Sequence, residues 1–217
     1  MLTNAADYCL IFPTLDMATS PNKRRRVRQL VLEAAKTRAN EVLTLKDNVC
    51  NQELLAPFSP SPIAVIDAVW TKLEAAQAAL SSDDLLMDLG CGDGRWLISA
   101  VKRFGCNAMG VELNDKLVKK AQEQVQMENL QAQIQVVLGD VMLMDISNAK
   151  LVIVYAFAKS LTNIAERLKN QLKEDAKVLS IGFRIPTWKP HWSECEGGLR
   201  WYIYYLSDCI QSRSGSV

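Results

Sequence analysis

Leu85-Leu86-Met87-Asp88-Leu89-Gly90-Cys91-Gly92-Asp93-Gly94-Arg95 decides the fold of this chain. Its first five residues read as a β-strand, apolar but for one acid, and glycine then recurs at 90, 92 and 94. Glycine enters backbone conformations closed to other residues and lets another group approach the main chain closely. Beyond the turn, Arg95 to Phe104 has helical spacing, and strands and helices alternate from there onward. Ala108 to Leu113, Ile134 to Leu138, Leu151 to Phe157 and Lys177 to Phe183 read as strands. Asp115 to Glu128 and Leu161 to Leu172 read as helices, and Leu199 to Leu206 as a late aromatic strand. The run from Leu151 is almost wholly apolar, as a central parallel strand covered on both faces should be. The pattern is that of an α/β protein with a doubly wound, mostly parallel sheet and its ligand at the carboxyl ends of the strands.

Upstream, Pro57-Phe58-Ser59-Pro60-Ser61-Pro62 breaks the chain. Ser61 as N-cap and Pro62 at the first helical position predict a helix whose buried face is Ile63, Ile66, Val69, Trp70, Leu73 and Leu80. A longer helix is expected from Asn22, with Val27, Leu30, Val31, Ala34, Val42 and Leu45 on one side. Two parts follow: residues 1–56, an extension with one long helix, and 57–217, the α/β domain. The extension carries the only dense charge run, Lys23 to Arg28. It reads as a solvated face, an import signal, or a contact for nucleic acid or an acidic partner. Cations at a helix N-terminus oppose the helix dipole, so the cluster does not serve the helix itself.

The 217 residues are 49% hydrophobic with a net charge of +1, an ordinary globular composition that excludes a polyanion trap. Six scattered cysteines form no C-x-x-C pair, so neither a disulfide framework nor a metal knuckle is readable. The longest apolar run, Leu151 to Ala158, falls far short of the ~20 residues a membrane helix needs. With Asp7 and Asp16 near its start, the chain does not open like a secretory signal. The expectation is a cytoplasmic protein, with a nuclear or mitochondrial location left open.

A dinucleotide fingerprint, G-x-G-x-x-G, would need glycine or alanine at 95, where Arg95 stands. An acid two residues ahead of G-x-G-x-G is instead the first motif of S-adenosylmethionine-dependent methyltransferases. Glu112, at the end of the second strand, can accept both hydroxyls of a ribose. Asp140, after the third, can accept from an adenine amino group. Asp88 can fix the loop and face a methionine ammonium, directly or through water. Tyr155 and Lys159 spell the Y-x-x-x-K of short-chain dehydrogenases, but that pair works from one helix face, and Tyr155 is assigned to a strand. No D/N-P-P-Y tetrad and no cysteine follow the fourth strand, which argues against adenine N6, glutamine and C5-pyrimidine acceptors. Tyr155 and Phe157 are candidates for an acceptor channel or for the core. His191, the only histidine, is a candidate general base or a plain surface residue.

Together these stretches resemble the class I protein-lysine methyltransferases that include the enzymes acting on the ATP synthase C-subunit and the adenine nucleotide translocase. The resemblance rests on Pro57 to Pro62, Asp88 to Arg95, Gly110-Val111-Glu112-Leu113-Asn114 and Phe183-Arg184-Ile185-Pro186-Thr187-Trp188. It implies a Rossmann-like class I methyltransferase fold and S-adenosyl-L-methionine as cofactor. Contacts would come from Asp88, Gly90, Cys91, Gly92, Gly94, Glu112, Leu113, Asp140 and Val141. A protein lysine would be the acceptor, with Tyr155, Phe157 and Trp188 as channel walls. Asp93 would either receive the lysine or hold the loop. Cys91 stands where the family commonly has serine, Val154 to Phe157 departs from its usual run, and the membrane span that eukaryotic members carry before the domain is not expected here. The alternatives are an RNA or small-molecule methyltransferase with the same cofactor site, and a silent cofactor-binding module that docks through residues 22–46.

Overall fold

The computed structural model describes residues 58–211. The expected helix from Asn22, the basic run Lys23 to Arg28, Pro57 and the 56/57 boundary lie outside them. The described residues form a seven-stranded sheet ordered β3-β2-β1-β4-β5-β7-β6. Its strands are β1 (Leu85–Leu89), β2 (Asn107–Glu112), β3 (Ile134–Leu138), β4 (Leu151–Val154), β5 (Lys177–Ile181), β6 (Trp192–Glu196) and β7 (Leu199–Tyr205). β1 to β5 are parallel, and β7 runs antiparallel between β5 and β6. The helices are α1 (Ile63–Ala75), α2 (Arg95–Phe104), α3 (Asp115–Met127), α4 (Ala158–Gln171) and α5 (Leu206–Gln211). Sheet and helices give the class I methyltransferase architecture that the sequence predicts.

Side-chain alternation builds the two layers. Leu86, Leu151, Ile153, Leu179, Ile181, Trp201 and Ile203 point to one face, where Val65, Val69 and Trp70 of α1, Leu97 of α2 and Ala121 of α3 cover them. Met87, Leu89, Val152, Val154, Val178 and Tyr204 point to the other, under Leu161, Ile164 and Leu168 of α4 and Leu206 of α5. All four β4 residues are buried, as their unbroken apolar run requires.

The chain winds outward from β1 through β2 to β3, then returns to place β4 on β1's other side. At such a switch point the loops part at the carboxyl ends of the strands and leave a crevice. Register sets out its margin in order. Leu89 lies opposite Val111 and Val154, so Gly90 has Glu112 on one side and Tyr155 on the other. Glu112 lies opposite Leu138, and Val154 opposite Ser180. The strand tips therefore run from Asp140 through Glu112 and Gly90 to Tyr155 and Gly182.

Several local expectations change. β4 ends at Val154 and α4 starts at Ala158, because the chain must turn at the crevice where the sequence kept its apolar character to Phe157. Pro62, not Ser61, is the N-cap of α1, and no side chain caps it. The Ser61 hydroxyl instead accepts from Trp96 Nε1 at 3.1 Å. β6 and α5 carry no strong sequence signal: four of the five β6 residues are exposed, and α5 is barely more than a turn. His191 sits just ahead of β6, with Nδ1 3.1 Å from Asp208 Oδ2. Its backbone N–H donates to Ile203, whose strand partner Leu179 lies mid-β5, so the ring stands away from the strand tips.

Candidate active site

The glycine loop leaves β1 and enters α2 through three left-handed residues, with φ of 93° at Gly90, 56° at Gly92 and 78° at Gly94. L side chains disfavour that region, which explains the alternation. A Cβ on Gly90 would meet nothing within 4 Å, so the space over this residue is open. A Cβ on Gly92 would stand 2.4 Å from Phe58 Cε2, which places the Phe58 ring against the loop. The loop hangs on β2: Gly90 N–H and Cys91 N–H both donate to the Val111 carbonyl, at 2.8 and 3.0 Å. Cys91 is buried, and burial pushes its thiol well up, so it is packing and no nucleophile.

Glu112 accepts three backbone bonds. Oε2 takes Gly92 N–H at 3.0 Å, and Oε1 takes those of Leu113 at 2.8 Å and Asn114 at 2.9 Å. A carboxylate has about four lone-pair sites, so room remains for a hydroxyl donor. Two residues on, Asn114 caps α3 by accepting from Lys116 N–H at 3.0 Å. On the next tip, Asp140 Oδ1 accepts from Met142 N–H at 2.8 Å, and Val141 is buried beside it.

Asp88 is 4% exposed, and its carboxylate takes no hydrogen bond among the described residues. Burial, then the charges of Glu112 and Asp93, push its carboxyl up to about 8. A buried acid without a partner at the head of an open loop is poised for a cation that neutralises it.

Asp93, expected either to receive the lysine or to hold the loop, is tightly bonded. Its carboxylate is gripped by Arg95, Nε to Oδ1 at 2.9 Å and Nη2 to Oδ2 at 2.7 Å. Arg95 Nη1 also donates to the Ser61 carbonyl at 2.8 Å, so this pair ties the loop to the segment before α1. Burial would raise the Asp93 carboxyl, but the Arg95 hydrogen bonds and the charges of Arg95 and Lys120 outweigh it and hold it low. Both Asp93 oxygens are thus engaged by Arg95, and the residue is 3% exposed.

The opposite margin is aromatic. The half-buried Tyr155 ring lies against Gly182, where a Cβ would stand 2.9 Å from Tyr155 Cε2. Phe157, 36% exposed, meets Phe183 edge-on with centroids 5.7 Å apart. Phe183 is held by a turn in which Ser180 Oγ donates to its carbonyl at 2.7 Å. It opens the F-x-x-P-x-W stretch, which was the available signal for it, although the resemblance put Pro186 to Trp188 of that stretch, not Phe183, beside the methyl.

Trp188 is corrected. It is 1% exposed and packs on Tyr204, whose strand partner is Val178, the second residue of β5. Its ring therefore stands toward the amino ends of the strands, away from the crevice, with Lys169 Nζ 5.6 Å from the ring centre. The stretch folds back over the sheet because Ile185 N–H donates to Tyr204 Oη at 2.9 Å and Arg184 reaches the Trp188 carbonyl. Trp188 is core. The Y-x-x-x-K pair also falls away, since Tyr155 precedes α4 while Lys159 lies within it.

Comparison with known proteins agrees with this geometry. Residues 88–192 match the family model of the ANTKMT methyltransferase domain. A protein-lysine N-methyltransferase of Saccharolobus islandicus is 36% identical over 139 residues, 62% of this chain and 81% of that protein. The human lysine N-methyltransferase of the ATP synthase C-subunit is 27% identical over 67% of this chain, which spans 60% of that protein's length. Among solved structures, an RNA methyltransferase from Salinibacter ruber in complex with S-adenosyl-L-homocysteine superposes with a TM-score of 0.63 at 30% identity. It covers 68% of this chain and 94% of its own. The cofactor is S-adenosyl-L-methionine, and the site fits it, with open space over Gly90, an unpartnered buried acid at Asp88 and acceptors on the next two strand tips. This chain belongs to the class I S-adenosylmethionine-dependent methyltransferases, in the protein-lysine N-methyltransferase family.

Proposed function

We propose that this enzyme transfers methyl groups to a lysine side chain of a protein substrate. One observation carries the reading. The margin of the crevice beyond Gly90 is made of the rings of Tyr155, Phe157 and Phe183, and the nearby Asp93 carboxylate is consumed by Arg95. When bound, S-adenosylmethionine supplies an electrophilic methyl group. What the chain must supply is a neutral amine, placed and dry. A lysine of pKa about 10.4 is neutral in about one part per thousand at pH 7.4, a handicap of roughly 4 kcal/mol. Aromatic walls that exclude water lower that pKa by disfavouring the ammonium form. In-line placement at about 3–3.5 Å provides the proximity contribution, and a general base is not required.

On the cofactor side, we assign Asp88 to the methionine ammonium, Glu112 to the ribose hydroxyls and Asp140 to the adenine amino group. Gly90, Cys91, Gly92 and Gly94 supply the close-approach loop, with Leu113 and Val141 beside the nucleoside. The name of the archaeal relative supports the protein-lysine acceptor. An RNA acceptor is the second reading, and the Salinibacter structure favours it. Incubation of cell extract with radiolabelled cofactor and the enzyme separates them. Label that protease removes and RNase leaves, located on lysine by peptide sequencing, supports the proposal; label in RNA overturns it.

A further inference from the structure

The chain crosses from β3 to β4 through residues 139–150 without a helix. The loop that carries Asp140 therefore has no helical ladder of its own and depends on side chains for its shape. One peptide group in it, between Val141 and Met142, is held at both ends. Its N–H donates to Asp140 Oδ1 at 2.8 Å. Its carbonyl accepts from Nη1 of Arg167, which reaches in from the third turn of α4. Leu143 N–H closes the turn on the Asp140 carbonyl at 3.0 Å. Arg167 is half-buried: burial works to lower its guanidinium, and the charges of Asp140 and Asp145 act the other way.

A cation on a peptide carbonyl polarises the same peptide's N–H and strengthens the bond which that N–H donates. Here the recipient of that bond is Asp140 Oδ1. We propose that Arg167 is a positioning residue for the adenine of the cofactor. Acting through the 141–142 peptide, it locks the Asp140 carboxylate so that Oδ2 faces the exocyclic amino group. This rests on the assignment of Asp140 to that group. Sequence spacing could not reveal it, because Arg167 lies 26 residues further along the chain and no motif surrounds it.

The test measures binding of S-adenosylhomocysteine and of S-inosylhomocysteine, which carries an oxygen in place of the amino group, by calorimetry. The wild type, Asp140→Ala, Arg167→Ala, Arg167→Lys and the double variant are compared. The wild type should prefer the adenosyl ligand by about tenfold or more, the worth of a hydrogen bond to a charged group. Asp140→Ala should abolish that preference. Arg167→Ala should remove most of it while leaving affinity for the inosyl ligand nearly unchanged, and the double variant should be no worse than Asp140→Ala alone. Arg167→Lys should restore part of the preference. If Arg167→Ala does not fold, Arg167→Gln, which keeps a donor and loses the charge, should show a partial loss. Equal weakening of both ligands by the Arg167 variants, or a lower melting temperature with the preference intact, makes Arg167 a structural tie and overturns the proposal. A preference that survives Asp140→Ala overturns the Asp140 assignment and this inference with it.

Discussion

The two margins of the crevice are built from opposite materials. On the β1–β3 side, carboxylates and backbone N–H groups do the work: Glu112 holds three amides, Asp93 is clamped by Arg95, and Asp88 is buried without a partner. On the β4–β5 side, rings pack on rings and on Gly182, and a turn pinned by Ser180 and Tyr204 holds them. The cofactor assignments proposed above explain the first, since ribose, adenine and ammonium demand fixed polar groups. On the function proposed above, the second accepts a long apolar side chain with a basic tip, a demand that shape and dryness meet. The polar margin should thus fail by loss of cofactor affinity, the aromatic one by loss of turnover or of the fold.

The largest effect is expected in the core, where the chain folds back from the aromatic margin. Trp188→Ala removes a fully buried ring and should cost about 3–5 kcal/mol of stability. Its indole N–H is buried without a partner among the described residues, so Trp188→Phe removes an unsatisfied donor along with some volume and should cost far less. Urea melts of the two variants check this. A folded, fully stable Trp188→Ala with poor turnover would return Trp188 to the channel.

Next comes the polar margin. Glu112→Ala strands the amides of Gly92, Leu113 and Asn114 and, on the assignment proposed above, the ribose. It should weaken S-adenosylhomocysteine by about 1.5–3 kcal/mol, read by calorimetry. Unchanged affinity in a folded variant would remove Glu112 from the site.

The same contrast decides what could be read from the residues alone. That Asp88, the three glycines, Glu112 and Asp140 fall at consecutive strand tips is legible, because each follows or ends a strand whose pattern the sequence shows. Strand and helix order is legible too, since β1 to β5 must alternate or run apolar to fill two layers. Phe183 and Trp188 are harder: an aromatic suits a core or a channel equally well, and only the backward fold of 182–188 tells them apart. The pairing of Asp93 with Arg95 is short-range, yet the tie from Arg95 to the Ser61 carbonyl, 34 residues earlier, leaves no mark in the sequence. β6 and α5 escape because an exposed edge and a short helix leave no hydrophobic period.

A third effect tests the buried acid. Asp88 is raised to about 8 by burial and by Glu112 and Asp93. The unliganded fold therefore holds a proton that the unfolded chain has already released above pH ~4, so its stability should fall as pH rises from about 4 to 8. Asp88→Asn should flatten that fall. Binding of an ammonium favours the charged carboxylate, so ligand affinity should rise by up to about tenfold per pH unit between 6 and 7.5 and level off above 8. Calorimetry in buffers of different ionisation enthalpy would detect the released proton. An affinity flat across that range, or a pH slope kept by Asp88→Asn, would assign the raised acid no part in cofactor capture.

The smallest effect is the sharpest probe of the aromatic margin. Phe157 and Phe183 come from different crossovers and meet edge-on at 5.7 Å. Such a pair is worth about 0.5–1.5 kcal/mol beyond the area it buries. If their joint edge shapes the acceptor channel, Phe157→Leu and Phe183→Leu should each lower kcat/KM for the methyl acceptor. The double variant should then lose less than the two together, by about that coupling energy, because the second change removes an interaction already broken. S-adenosylhomocysteine affinity should stay within about twofold, since neither ring adjoins Glu112, Asp140 or the glycine loop in the order of the strand tips. Additive losses would mean that each ring acts alone. A matching fall in cofactor affinity would erase the division between the two margins and place both rings on the cofactor side.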